Sequence, residues 1–187
     1  MDIGFVIDGS GSVGKTGFRH VLNFVNQIVD SFNVSKKTAQ FGVVEYSNQP
    51  VIRIALNDFQ DSKELQEKIK TIVDSGGRTG TAQALRDTSK ELFKYAVGGR
   101  PGIPKVLILV TDGASTSNET LRQVARELWE RGIMIYVVGV GDLIKEDELK
   151  DITTSDSNIY KAKDFNTMAS IAPPLVKKIV GDLKGRF

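Results

Sequence analysis

The 187-residue sequence contains no cysteine and a single histidine. Without cysteine there is no disulfide, no thiolate metal site and no thiol nucleophile. One histidine cannot build a histidine-rich zinc site. His20 falls inside an amphipathic pattern, on the side opposite Phe18, Val21, Leu22 and Val25, and reads as a solvent-exposed helix residue. Excess charge is also lacking, since the formal net charge is only +2. Lysine and arginine are scattered apart from short pairs such as Lys36-Lys37 and Lys177-Lys178, so no nucleic-acid or membrane-surface signature emerges. No apolar run reaches the ~18 residues of a membrane span. No leader-like segment precedes the first strand-like run, and the expectation is an excised domain or a cytosolic protein. Internal repeats and low-complexity tracts are absent as well.

What remains for chemistry is hydroxyls, carboxylates, backbone amides, lysine and arginine. A metal held by these is a hard, oxygen-loving ion. The length, with 40% hydrophobic and 26% charged residues, fits one globular domain over residues 1–187. A chain of this size buries roughly 70% of its unfolded surface. Two glycosylation sequons, Asn33-Val34-Ser35 and Asn118-Glu119-Thr120, add little, because such triplets arise by chance.

Short apolar runs alternate with helical patterns. This predicts an α/β fold built on a doubly wound, mostly parallel sheet with helices on both faces. Strands are expected at Ile3–Ile7, Phe41–Tyr46, Val51–Leu56, Val106–Val110, Ile133–Val138 and Ile159–Ala162. The turn Ser47-Asn48-Gln49-Pro50 is too short for a crossover, so the third strand is expected to be an antiparallel edge. Phe18 to Phe32 marks a long helix. Leu65, Ile69, Ile72 and Val73 mark a second, and Ala84, Leu85, Leu92 and Phe93 a third. Leu121, Val124, Ala125, Leu128 and Trp129 mark a fourth, and a last pattern runs from Phe165 to Leu183. Gly98-Gly99-Arg100-Pro101-Gly102 is a loop.

In such sheets ligands bind beyond the carboxyl ends of the strands. The first strand ends in Asp8-Gly9-Ser10-Gly11-Ser12-Val13-Gly14-Lys15-Thr16, and three readings compete there. Gly9 to Thr16 fits the P-loop pattern G-x-x-x-x-G-K-S/T, with Asp112 available as a second magnesium-holding residue. Gly9, Gly11 and Gly14 also fit a dinucleotide fingerprint, but no acidic residue ends a second strand about 20 residues later. The third reading uses the residues between the glycines. Asp8, Ser10 and Ser12 alternate with glycine, so one carboxylate and two hydroxyls can converge on one point. That set suits a six-coordinate magnesium ion. Asp8 also places negative charge where a P-loop phosphate would sit. A plain Gly/Ser turn capping the first helix explains the glycines and serines but not Asp8.

Asp8-Gly9-Ser10-Gly11-Ser12 after an apolar strand resembles the D-x-S-x-S motif of von Willebrand factor type A domains, the fold shared with integrin I domains. Gly76-Gly77-Arg78-Thr79-Gly80-Thr81 resembles that family's threonine element, and Val110-Thr111-Asp112-Gly113 its aspartate element. Phe41 to Ser47 and Tyr136 to Gly141 resemble its second and fifth strands, so the resemblance spans essentially the whole chain. It implies a metal-ion-dependent adhesion site with Asp8, Ser10, Ser12, Thr79 and Asp112 as ligands. Magnesium is the expected ion, with manganese or calcium as alternatives. Ser10 and Ser12 would bind directly, Asp8 and Asp112 partly through water, and Thr79 either way.

With neutral hydroxyls bound directly and the two carboxylates acting partly through water, a vacant or water-filled position on the ion favours an outside oxygen anion. The implied partner is an extracellular matrix protein or receptor offering a glutamate or aspartate carboxylate, collagen among the candidates. The implied role is adhesion, not catalysis, in a secreted matrix protein of which this is one domain. Asp142 to Asp147 is too short for the extra helix of collagen-binding integrin I domains, which favours the matrix-protein branch. Pro173-Pro174 interrupts the last helical pattern and predicts a kink or a start near Pro173. A constitutively competent site is therefore expected in place of integrin-style switching. A P-loop NTPase, and a structural matrix domain with a vestigial metal site, are the rivals.

Overall fold

The computed structural model describes residues 1–77, 80–113, 118–153 and 155–185, with the backbone alone for 118–120. Seven-residue β1 (Asp2–Asp8) is apolar between its ends and wholly buried. It lies mid-sheet, hydrogen-bonded in parallel to β2 (Gln40–Tyr46) on one side and β4 (Lys105–Thr111) on the other. Beyond β2 lies β3 (Pro50–Ile54), antiparallel, and beyond β4 lie β5 (Ile133–Val140) and β6 (Ile159–Ala162), both parallel. The sheet order is thus β3-β2-β1-β4-β5-β6. The expected mostly parallel sheet with one antiparallel edge strand is what the chain forms.

Strand side chains alternate between two cores, one on each face. Ile3, Phe5 and Ile7 of β1, with Val106, Ile108 and Val110 of β4, pack with α1 (Gly14–Asp30) and α6 (Ala172–Lys184). Val6, Leu107 and Leu109 face the other way, toward α3 (Thr81–Glu91), α4 (Asn118–Glu130) and α5 (Glu146–Ile152). Burying each such side chain stabilises the fold by about 1.5–3 kcal/mol. This two-sided covering explains why the parallel strands read as unbroken apolar runs.

Several elements differ from expectation. β3 stops at Ile54 because the Asp58 carboxylate accepts from the Ala55 amide and turns the chain. α2 (Ser62–Lys70) ends before Ile72 and Val73; Ile72 still enters the core, but Val73 is exposed. α3 likewise stops one residue before Leu92, although Leu92 and Phe93 are buried. Trp129 lies at the margin of the α4 stripe and is largely exposed, while Leu121, Val124, Ala125 and Leu128 are buried. His20 is half-buried instead of exposed. α5 was not anticipated: it has seven residues, too few for a periodic pattern, and three acidic residues in its first turn favour the helix through its dipole. The last pattern divides into a 3-10 segment, Phe165–Ile171, and α6, whose first turn holds Pro173 and Pro174. Proline is tolerated there because first-turn amides have no intrahelical acceptor. The expected start near Pro173 is therefore observed.

Candidate functional site

The chain runs outward from β1 to β3 on one side and then crosses to β4, β5 and β6 on the other. The crevice at the carboxyl ends of β1 and β4 is therefore the topological switch point, where this architecture opens to ligands. Asp8 ends β1, and Asp112 directly follows β4. Residues 104 apart in sequence are brought to one mouth by the parallel register of these two strands.

The loop after β1 is held from both sides. The Gly9 amide donates to the Tyr46 carbonyl at 2.8 Å, and the Gly11 amide to the Gly77 carbonyl at 3.2 Å. The Gly76 amide donates back to the Gly9 carbonyl at 2.9 Å. A Cβ at Gly9 would lie 2.0 Å from a Glu45 carboxylate oxygen, so only glycine fits that approach. Glu45 was not singled out from the sequence. It is fully buried, and its carboxylate accepts from Arg53 at 2.8 Å and from the Ser75 hydroxyl at 2.7 Å. It thereby ties β2 and β3 to the 75–77 strap that lies against the β1 loop. A lone carboxylate within Phe41-Gly-Val-Val-Glu-Tyr was the available signal, since unpaired charge is rarely buried.

The oxygen atoms form one connected string. The Ser10 amide donates to Asp8 Oδ1 at 2.9 Å. The Ser10 and Ser12 hydroxyls share a hydrogen bond at 3.0 Å, and Ser12 Oγ donates to Asp112 Oδ1 at 3.1 Å. Thr111, also unforeseen, directs its hydroxyl at Asp8 Oδ2 from 3.5 Å. Asp8 and Ser10 are each 1% exposed and Asp112 8%. The structure thus brings together Asp8, Ser10, Ser12 and Asp112. Thr79 lies outside the described residues.

Electrostatically the site is short of positive charge. Among the described residues neither Asp8 nor Asp112 has an ion-pair partner. Burial pushes the Asp8 carboxyl up to about 6; the Ser10 bonds oppose the rise and the Asp112 charge adds to it. Burial also raises Asp112, against the hydrogen bond from Ser12. Behind them the buried Tyr46 phenol is raised further still by desolvation and by Asp8. Two crowded, uncompensated carboxylates beside two hydroxyls are the donor chemistry of a hard divalent cation. Among the described residues no group of three or more His, Asp and Glu is placed to hold a metal ion, and the donors gathered here are two carboxylates and two hydroxyls.

The same geometry bears on the other loop readings. A P-loop cradles phosphate with free backbone amides. Here the amides of Gly9, Ser10, Gly11 and Val13 already donate within the protein. Lys15 and Thr16 are exposed on the first turn of α1. No side chain caps α1 among the described residues, so the serines are not cap residues.

A family model described as von Willebrand factor type A domain matches residues 2–174. Matrilin-1 of Gallus gallus is 36% identical over 96% of this chain and 36% of its own length. The collagen alpha-1(XX) chain of Mus musculus is 35% identical over 99% of this chain and 14% of its own. A solved structure of proximal thread matrix protein 1 from the mussel byssus, with a zinc-occupied MIDAS motif, superposes with a TM-score of 0.87. It is 27% identical and is matched over 95% of this chain and 45% of that one. The chain spans about a third of the chicken relative and a seventh of the mouse one.

Proposed function

The chain belongs to the von Willebrand factor type A domain family, and on that premise we propose that it is a metal-ion-dependent adhesion module of an extracellular matrix protein. The observation that carries this reading is the connected string of Asp8, Ser10, Ser12 and Asp112 oxygens at the switch point. Ser10 and Ser12 would hold a divalent ion through their hydroxyls, with Asp8 and Asp112 supplying charge and Thr79 completing the set. Magnesium is the ion we favour, since the donors are all oxygen; the byssal relative's MIDAS motif holds zinc.

When bound, the ion offers an electrophilic position to an outside carboxylate oxygen. The residues of this chain do the rest. Asp8 and Ser10 are anchored below the surface by β1 and the Ser10 amide bond. Ser12, exposed at the mouth, links them to Asp112 and marks the open side. The partner is a matrix protein or receptor presenting glutamate or aspartate, collagen among them. An extracellular location follows the matrilin, collagen and byssal matrix relatives. The proposed role is binding, with no reaction assigned to any side chain.

Surface plasmon resonance over immobilised collagens and other matrix proteins, in magnesium and in EDTA, tests this reading. Binding is expected in magnesium alone, lost in Asp8→Ala and Asp112→Ala and retained in Lys15→Ala. Adhesion indifferent to EDTA would instead support a structural domain with a vestigial site. ATP binding lost in Lys15→Ala would support the P-loop reading.

A further inference from the structure

Two sequons, Asn33-Val34-Ser35 and Asn118-Glu119-Thr120, stand outside the proposed metal site. Chance places such triplets without regard to the fold, so what separates them is where the fold puts the acceptor amide. Asn118 begins α4, and its side chain lies outside the described residues. Asn33 lies in the connection between α1 and β2 and is exposed.

The backbone around Asn33 is pinned, and its side chain is not. Val34 is held extended by a bridge to Ala39. The Ser35 amide donates to the Ala39 carbonyl at 3.1 Å, and the Ala39 amide to the Asn33 carbonyl at 3.2 Å. The Thr38 hydroxyl donates to the Asn33 carbonyl as well. Val34 turns inward and joins the core beneath α1. Side chains alternate along an extended stretch, so Asn33 and Ser35 share the outer side. Among the described residues the Asn33 side-chain amide has no hydrogen-bond partner. The neighbouring turn is built without it. Ser35 Oγ accepts from the Lys37 and Thr38 amides at 3.2 Å each and shares a bond with the Thr38 hydroxyl at 2.7 Å. Lys36, Lys37 and Thr38 are exposed, so the space beside Asn33 is solvent.

We propose that Asn33 carries an N-linked oligosaccharide, a modification that rests on the extracellular location and not on the metal site. The co-reactant is an oligosaccharide linked to a polyprenyl pyrophosphate, met as the chain enters the secretory pathway. The bond from the anomeric carbon of the sugar to the pyrophosphate oxygen breaks, and a bond from that carbon to Asn33 Nδ2 forms. Polyprenyl pyrophosphate leaves, and one Nδ2 proton passes to a base of the transferase. A glycan is bulky and keeps to the surface. At Asn33 it extends into solvent and displaces neither a packed side chain nor a hydrogen bond among the described residues. It stands at the amino ends of the strands, since Gln40 starts β2 and pairs with Asp2. The metal mouth is at their carboxyl ends, about 20 Å away along the seven residues of β1. The glycan therefore leaves the mouth open.

Secretion of the chain from animal cells behind a signal sequence tests the proposal. Protein from the medium is treated with PNGase F in ¹⁸O-water, and the tryptic peptide His20–Lys36 is read by mass spectrometry. Conversion of Asn33 to ¹⁸O-labelled aspartate is expected in most molecules, with Asn23 and Asn26 of the same peptide unlabelled. The label should vanish in Ser35→Ala and persist in Ser35→Thr, because transfer needs the hydroxyl two residues on. Secreted protein with Asn33 unmodified, or label that survives Ser35→Ala, would overturn the proposal. Asn33→Gln should bind manganese as the glycosylated chain does, and an affinity changed by loss of the glycan would contradict its placement away from the mouth. Absence of manganese binding from both would contradict the metal site and leave a labelled Asn33 standing, so the two readings fail separately.

Discussion

Asp8 is sensitive to charge because it is buried beside a second carboxylate. In the metal-free protein its carboxyl is raised from 3.8 to about 6, so the folded chain holds more protons than the unfolded one between those values. Its contribution is therefore stabilising below the unfolded pKa and is lost as pH rises through the folded value. Removing the shift with Asp8→Asn should flatten the fall of Tm between pH 4 and 6 measured in EDTA. The same proton competes with a cation. Manganese affinity measured by calorimetry should drop about tenfold at pH 5, a unit below that carboxyl. Asp8, Ser10 and Ser12 were legible in the sequence because they lie within five residues on one loop. Asp112 was marked by its place at the end of an apolar run, but its membership of this site came through the family resemblance, since its proximity depends on strand register. The roles of Glu45 and Thr111 were not legible, because their partners come from distant segments of the chain. Arg53→Ala would leave the buried Glu45 carboxylate short of a partner and should cost about 1–3 kcal/mol in urea unfolding. Lys70→Ala, at an exposed pair, should cost within about 0.5 kcal/mol.

Between elements, two glycines on paired strands make one notch. Gly4 of β1 lies opposite Gly42 of β2, and a Cβ at either would meet Leu92 at 2.7 or 2.6 Å. Leu92, just past α3, fills this notch and is fully buried. Leu92→Ala should destabilise the fold by about 2–5 kcal/mol in chemical denaturation, as expected when a packed leucine leaves a cavity. Such a lock was invisible to periodicity, because Leu92 was counted simply as another residue of a helical stripe. The strands were read well because both faces are buried, and continuous apolar runs announce that. Short α5 escaped because seven residues complete barely two turns. Pro173 and Pro174 were informative, since they mark where the 3-10 segment gives way to α6. With α6 starting at that fixed point, we expect no ligand-linked sliding. Hydrogen exchange of residues 175–184 should be the same in magnesium and in EDTA, and a magnesium-dependent change there would favour a two-state switch.

The whole molecule separates stability from the site. Two apolar cores, one on each face of the sheet, hold the strands whether or not an ion is present. The absence of cysteine leaves no disulfide to share that work, and among the described residues no helix is long and apolar enough to cross a membrane. The protein should therefore stay folded in EDTA and gain about 2.7 kcal/mol at an ion concentration a hundred times Kd. The doubly wound order puts the ends of β1 and β4 side by side, and that placement turns a Gly/Ser-rich loop and a distant aspartate into one oxygen-lined mouth. Whether this mouth binds a divalent ion is tested most simply by calorimetric titration of manganese into the wild-type chain, Asp8→Ala and Asp112→Ala at pH 7.5, each checked for native circular dichroism. One saturable site is expected in the wild type and none in either variant. Equal binding by all three folded proteins, or none by the wild type, would contradict it.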